Sequence, residues 1–200
     1  MFEVLIVAAI LLAIVVMVSR MSAKRDAERR EVWRSFAKKR GLGFRLTEGG
    51  LFTPGSMRIE GTSDDVRLSV STYTRQSRSD DTQTTYTQVH AVAPFPLELE
   101  ASVYAEHLFS GIGKALGFQD VSVGDRAFDD VFVVKADAEA AALELLTPEV
   151  RRALLKAGDM VRLEYKAGDV SVSWEGEEID PGNLGRMVDL ALLAASVAPG

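Results

Sequence analysis

Cysteine is absent from the 200 residues. Disulfides, thiolate nucleophiles and thiolate metal sites are therefore excluded, and the composition fits a reducing compartment. Histidine is almost as scarce. His90 and His107 are the two in the chain, which rules out His-rich metal centres and makes any His-based catalytic set depend on one of them. There is no internal repeat and no low-complexity tract. Residues 4–18 (VLIVAAILLAIVVMV) lack every charged residue, and also glycine and proline.

That last absence organises the N-terminus. A helix over residues 2–19 satisfies its own backbone amides in lipid, and about 18 residues at 1.5 Å each reach about 27 Å, close to the ~30 Å hydrocarbon core. A cleaved signal peptide wants a basic start, whereas Met1, Phe2 and Glu3 precede the run, and Ser19-Arg20-Met21 is a poor cleavage site. A buried core helix would show a polar face. The expectation is an uncleaved transmembrane helix over residues 1–20.

Charge then sets the orientation. Residues 20–40 hold nine basic and three acidic side chains, a net +6, so the positive-inside rule places the C-terminal side in the cytoplasm, below a cell inner membrane crossed once. Arg20, Lys24, Arg25, Arg29 and Arg30 are the residues expected to contact anionic headgroups. Residues 41–200 carry a net −11, which argues against nucleic acid as a partner. About 160 residues make one domain with a proper core.

Periodicity gives the layout. Residues 21–40 form a basic juxtamembrane helix, its pattern read from Ala23 to Arg40, with Val32, Trp33, Phe36 and Ala37 on one stripe that docks on the domain, ended by Gly41 and Gly43. Residues 57–61, 66–73 and 82–93 form an antiparallel meander, with a polar loop over 76–81. Further strands are expected at 97–103, 128–135, 161–166 and 170–174, the last two joined at Ala167-Gly168. Helices are expected near 104–116, at 138–146 capped by Asp137, at 148–156 capped by Thr147, and from Asp180 and Pro181 to about residue 197. About seven strands and four further helices, joined by hairpins, give an α+β domain of largely antiparallel sheet packed with helices over residues 41–200.

A membrane helix, then Trp33 to Ala37 before Gly41-Leu42-Gly43-Phe44, then Gly124-Asp125-Arg126-Ala127-Phe128-Asp129 before a strand, then Leu146-Thr147-Pro148-Glu149 before a short helix form a combination. It resembles a set of uncharacterised bacterial single-pass membrane-anchored proteins, a domain of unknown function. The resemblance spans most of the chain and implies a bacterial source and this architecture. It brings no catalytic residues.

Each candidate site has an ordinary reading beside it. Gly111-Ile112-Gly113-Lys114-Ala115-Leu116-Gly117 misses the dinucleotide fingerprint at Leu116 and the P-loop at Ala115. Ser35-Phe36-Ala37-Lys38 matches S-x-x-K without its companion motifs, Ser79-Asp80-Asp81 being a near miss. Gly61-Thr62-Ser63 begins like a nucleophile elbow but ends in Asp65. Asp125, Asp129 and Asp130 cluster beside a strand start with no EF-hand spacing, and Glu175, Glu177, Glu178 and Asp180 read as a solvated turn with Asp180 as a helix cap. No catalytic, cofactor or metal residue is assigned, and no cofactor is expected.

The expectation is thus a membrane-tethered, non-enzymatic cytoplasmic module that binds a protein or lipid partner. The alternative is an enzyme or small-ligand receptor of unrecognised type, with Asp125, Asp129, His90 or His107 in a pocket. Ala9 and Ala13, at small-xxx-small spacing, offer a third reading as a self-association face in the membrane.

Overall fold

The computed structural model describes residues 2–47, 56–76, 82–95, 98–106 and 119–197, the side chains of 2–9 and 119 excepted. Neither proline nor glycine interrupts the first forty residues, and they form one unbroken helix, α1 (Phe2–Arg40). It ends where Gly41 takes φ +67, donating to the Lys38 carbonyl at 3.3 Å while the Leu42 amide donates to the Ala37 carbonyl at 2.8 Å. This pairing is a Schellman cap, and the left-handed residue it requires is best supplied by glycine.

The two ends of α1 meet different surroundings. Trp33, Phe36 and Ala37 are buried against the domain, as their shared stripe requires. From Ile10 to Val18 the large apolar side chains stand bare, between 41% and 66% exposed. Among the described residues no helix is long and apolar enough to cross a membrane: counted from Ile10, an eighteen-residue window already takes in Arg20, Lys24, Arg25 and Asp26. Residues 2–9 of the expected span lie outside the described side chains.

Beyond α1 the chain builds a nine-stranded sheet in the order β1-β2-β3-β4-β9-β8-β5-β7-β6, every neighbouring pair antiparallel. The strands are β1 (Gly43–Thr47), β2 (Ser56–Ser63), β3 (Val66–Gln76), β4 (Gln83–Val92), β5 (Ala101–Ala105), β6 (Gln119–Val121), β7 (Phe132–Ala136), β8 (Val161–Lys166) and β9 (Asp169–Glu175). Among the described residues four more helices accompany it: α2 (Arg126–Asp129), α3 (Glu139–Leu145), α4 (Pro148–Ala157) and α5 (Pro181–Ser196). The α+β class and the antiparallel sheet packed with helices are as expected.

Register follows from two tight turns. Asp64 and Asp65 (φ 50 and 63) join β2 to β3, and Ala167 and Gly168 (φ 50 and 84) join β8 to β9. Positive φ at both central residues is the turn whose twist matches paired strands. With register fixed, one apolar row crosses the whole sheet: Phe44, Ile59, Val70, Val89, Val172, Leu163, Val103, Val134 and Val121 stand opposite one another in turn. Burying each such aliphatic side chain is worth about 1.5–3 kcal/mol. Helix α5 covers this face at β9, β4 and β3, α4 packs on α5, and α1 covers β1 and β2.

Several local expectations change. Residues 128–135 are not one strand, because Asp125 caps a single turn of helix, α2, that buries Phe128 before β7 begins at Phe132. Asp137 does not cap α3. Its carboxylate accepts the Glu100 amide at 3.2 Å, and Ala138 stands at the cap position without a side-chain bond. Strand β5 starts at Ala101 rather than 97, and β1 and β6 were not anticipated. Of the helix expected over 104–116, Tyr104 and Ala105 belong to β5 and residues 107–116 lie outside the described set.

Candidate functional site

Two polar assemblies stand out: a buried latch that fixes α1 to the domain, and the sheet face opposite α5, which is exposed at Arg58, Arg67 and Arg75 of β2 and β3. The latch centres on Glu178, 8% exposed, in the link between β9 and α5. Its carboxylate accepts from the Trp174 indole at 2.9 Å, from the Ile179 and Asp180 amides at 3.0 and 2.7 Å, and from the Asn183 side-chain amide. Its backbone carbonyl accepts the Trp33 indole at 2.9 Å, and its own amide donates to the Thr87 hydroxyl at 3.1 Å. That hydroxyl donates onward to the Gly176 carbonyl at 2.7 Å.

Both tryptophans of the chain therefore end on one residue. A buried indole needs an acceptor for its N–H, and Glu178 supplies both, one from its side chain and one from its backbone. Beside it, the buried Arg29 guanidinium ion-pairs with Glu177 and, at 3.3 Å, with Asp26. Further along, Arg40 meets Asp189 at 2.8 Å, a hydrogen bond that holds the guanidinium above its ordinary pKa. Helix α1 is thus gripped at successive turns against the start and middle of α5, the two helices running side by side in the same direction.

The reading of 175–180 as a solvated turn holds for Asp180, which caps α5 by accepting the Gly182 amide at 2.8 Å. For Glu178 it is corrected. Nothing in Glu175-Gly176-Glu177-Glu178 marks one acid for burial; the signal lay in Trp33 and Trp174, each needing a partner if buried.

The opposite face is mainly polar, exposed toward β2 and β3 and buried at Ser173 of β9 and Tyr104 of β5. One row runs Arg58, Ser71, Gln88, Ser173 and Arg162; the next runs Glu60, Ser69, His90, Ser171, Glu164, Ser102 and Lys135. Arg45 pairs with Glu60 at 2.6 Å, Arg162 with Glu164 at 2.6 Å, and Lys135 with Asp120. A depression of about 330 Å³ opens on this face among Glu60, Gly61, Thr62, Arg67, Leu68, Ser69, His90 and Val92. His90 Nε2 lies 3.4 Å from Asp169 Oδ2, an ion pair when the imidazole is protonated. Among the described residues Ser69, directly across from His90, makes no hydrogen bond to it.

The remaining candidates resolve into structural roles. Asp129 accepts the Ser122 hydroxyl at 2.9 Å and the Val123 and Gly124 amides at 3.1 and 3.2 Å, tying a loop that Arg151 also holds through the Val123 carbonyl at 3.3 Å. Asp125 caps α2, and Asp130 lies 3.7 Å from Arg126. Ser35 and Lys38 are exposed on α1, and Gly61 to Ser63 lie in β2 before its turn. His107, the 111–117 glycine stretch, and residues 77–81 with Ser79-Asp80-Asp81 fall outside the described residues, as does the Ala9 side chain. Of the headgroup candidates, Arg20, Lys24, Arg25 and Arg30 are exposed, whereas Arg29 is occupied by Asp26 and Glu177. No group of three or more metal-ligating side chains comes together among the described residues.

Comparison with protein-family models and with curated proteins finds no match. Among solved structures the chain is similar to the crystal structure of the mycobacterial trehalose monomycolate transport factor A, TtfA. The two share 11% sequence identity at a TM-score of 0.53, over 86% of this chain and 98% of that one. At that identity the likeness is one of fold.

Proposed function

We propose that the chain is a single-pass, membrane-anchored, non-enzymatic module of a bacterial inner membrane, whose cytoplasmic domain binds a protein partner in the service of lipid transport. The observation that carries this reading is the character of α1. At one end bare apolar side chains from Ile10 to Val18 continue the uncharged sequence from residue 4, and at the other end Trp33 and Arg29 lock the same helix into the domain. Water solvates the first end poorly, and a bilayer covers it without any protein surface being required. Arg20, Lys24, Arg25 and Arg30 lie where the helix would leave the lipid, each worth on the order of 1 kcal/mol against an anionic leaflet. The transport role is drawn from that of the transport factor TtfA, with which the fold is shared.

Deleting residues 1–20 is expected to move the protein from the membrane pellet to the soluble fraction with its tryptophan environment unchanged. Continued sedimentation with membranes would refute the anchor. Affinity capture of the full-length chain from intact membranes then tests for the partner. A second reading, a small-ligand receptor, is favoured by one feature: His90 and Asp169 converge beside the 330 Å³ depression. Ligand-induced chemical-shift changes confined to Ser69, His90 and Asp169 would support it over the first.

A further inference from the structure

We infer that the face of β2 and β3 on which Arg58, Arg67 and Arg75 are exposed is a docking strip for an extended acidic segment of a partner protein. The inference rests on the partner-binding reading above and names the chemistry of its contact. Arg58, Arg67 and Arg75 are exposed on this face and carry no ion pair among the described residues. Arg58 stands directly opposite Arg45 across the β1–β2 pair, and Glu60, the acid within reach, is taken by Arg45. Like charges placed opposite each other cost stability in a sheet. In a domain whose net charge is strongly negative, an unneutralised row of arginines is a local reversal that a complementary anion relieves.

Spacing decides which anion. Arg67 and Arg75 lie eight residues apart along β3, about 27 Å, and Arg58 faces Ser71, midway between them. A single phosphate or headgroup reaches one of these guanidiniums at a time. A nucleic-acid strand carries charge at every few ångströms. It would bring phosphates against Glu60, Asp169 and Glu175 along with the arginines. An extended peptide with acids about four residues apart places a carboxylate at each guanidinium and leaves neutral positions over Ser69, Ser71 and Gln88.

The test uses the full-length chain in nanodiscs of neutral lipid and a fluorescent peptide of about twelve residues with Glu at every fourth position. The wild type binds it, binding weakens with salt, and the same residues with the acids bunched at one end bind more weakly. The R58Q/R67Q/R75Q variant loses about tenfold or more in affinity. The K38Q/K39Q/K156Q variant, with the same change in net charge on other exposed sites, binds as the wild type does. Circular dichroism and the thermal midpoint confirm that both variants are folded. Failure of the peptide to bind, equal binding by the arginine variant, or equal binding of the bunched peptide overturns the strip. So does displacement of the peptide by oligothymidylate, or its exclusion when the nanodiscs carry anionic lipid. A partner captured from membranes equally by wild type and R58Q/R67Q/R75Q would sink the strip and leave the partner-binding module standing. Absence of any captured partner would sink the module itself.

Discussion

Replacing Glu178 by alanine tests the latch most directly. The substitution removes an acceptor from four donors at once: the Trp174 indole, the Asn183 amide and the backbone amides of Ile179 and Asp180. The two backbone amides lie at the partly buried start of α5, where water can replace the lost oxygen. Trp174 is 7% exposed, so its N–H is stranded. A buried donor left unpaired costs about 1–3 kcal/mol, and a charged acceptor raises the value of each bond it makes, so the total is about 3–5 kcal/mol. Set against a stability of about 5–15 kcal/mol, that is a large fraction. At about 2–4 °C per kcal/mol for a chain of this size, the midpoint falls by roughly 10 °C.

Glu178→Gln separates charge from shape. One oxygen still accepts the two backbone amides, but the new NH2 faces the Trp174 and Asn183 donors, and the expected cost is about 1–2 kcal/mol. Both tryptophans report on the site, so urea unfolding of the full-length chain in detergent, followed by fluorescence and near-ultraviolet circular dichroism, measures the loss where it occurs. A Glu178→Ala midpoint within 1 kcal/mol of wild type, or a Gln variant as damaged as the Ala variant, would refute the assignment of the latch.

Further outcomes rest on the packing. Trp33→Ala removes a fully buried side chain that joins α1 to the domain, so trypsin should cut first at Arg34, Lys38 and Lys39, sites the wild-type helix protects; an unchanged cleavage pattern would show that α1 docks without it. The Tyr165 hydroxyl is buried without a hydrogen bond among the described residues, so Tyr165→Phe should be neutral or stabilising by up to about 1 kcal/mol. Burial also pushes this phenol well above its ordinary pKa. The unfolded chain therefore ionises first, near pH 10, and stability falls as pH rises past that value; urea midpoints at pH 8 and pH 10.5 should converge more closely for the Phe variant than for wild type. Asp129→Ala unties Ser122, Val123 and Gly124, and amide exchange in that loop should accelerate while β3 and β4 keep their protection, at a cost of about 1–2 kcal/mol.

What could be read from the residues was whatever local chemistry decides. Thr147 before Pro148 and Asp180 before Pro181 each start a helix because cap and first-turn preferences are properties of adjacent residues. Ala167-Gly168 turns because its neighbours alternate on both sides. Strand β1 escaped notice because five residues beginning with glycine carry almost no periodic signal, and their strand state depends on pairing with β2. Phe128 reads as the start of a strand because it lies just before the apolar Val131-Phe132-Val133-Val134, yet Asp125 three residues earlier closes a helical turn and wins. Glu178 was misread for the deepest reason: its burial is created by Trp33, 145 positions away. The arginines of β2 and β3 were visible individually, but their alignment on one face needed the register of three strands.

The unbroken course of α1 has a mechanical consequence. From Arg20 to Arg29 the helix advances nine residues, about 13.5 Å, without a joint, so it behaves as a spacer of set length and set azimuth. Any neighbour that twists the lipid-facing half turns the domain with it, like a key. Inserting one residue into this stretch swings the domain by about 100° and lowers it about 1.5 Å, whereas inserting seven nearly restores its heading while lowering it about 10 Å. Activity that survives the second insertion but not the first would mark heading, rather than reach, as what a neighbouring molecule senses.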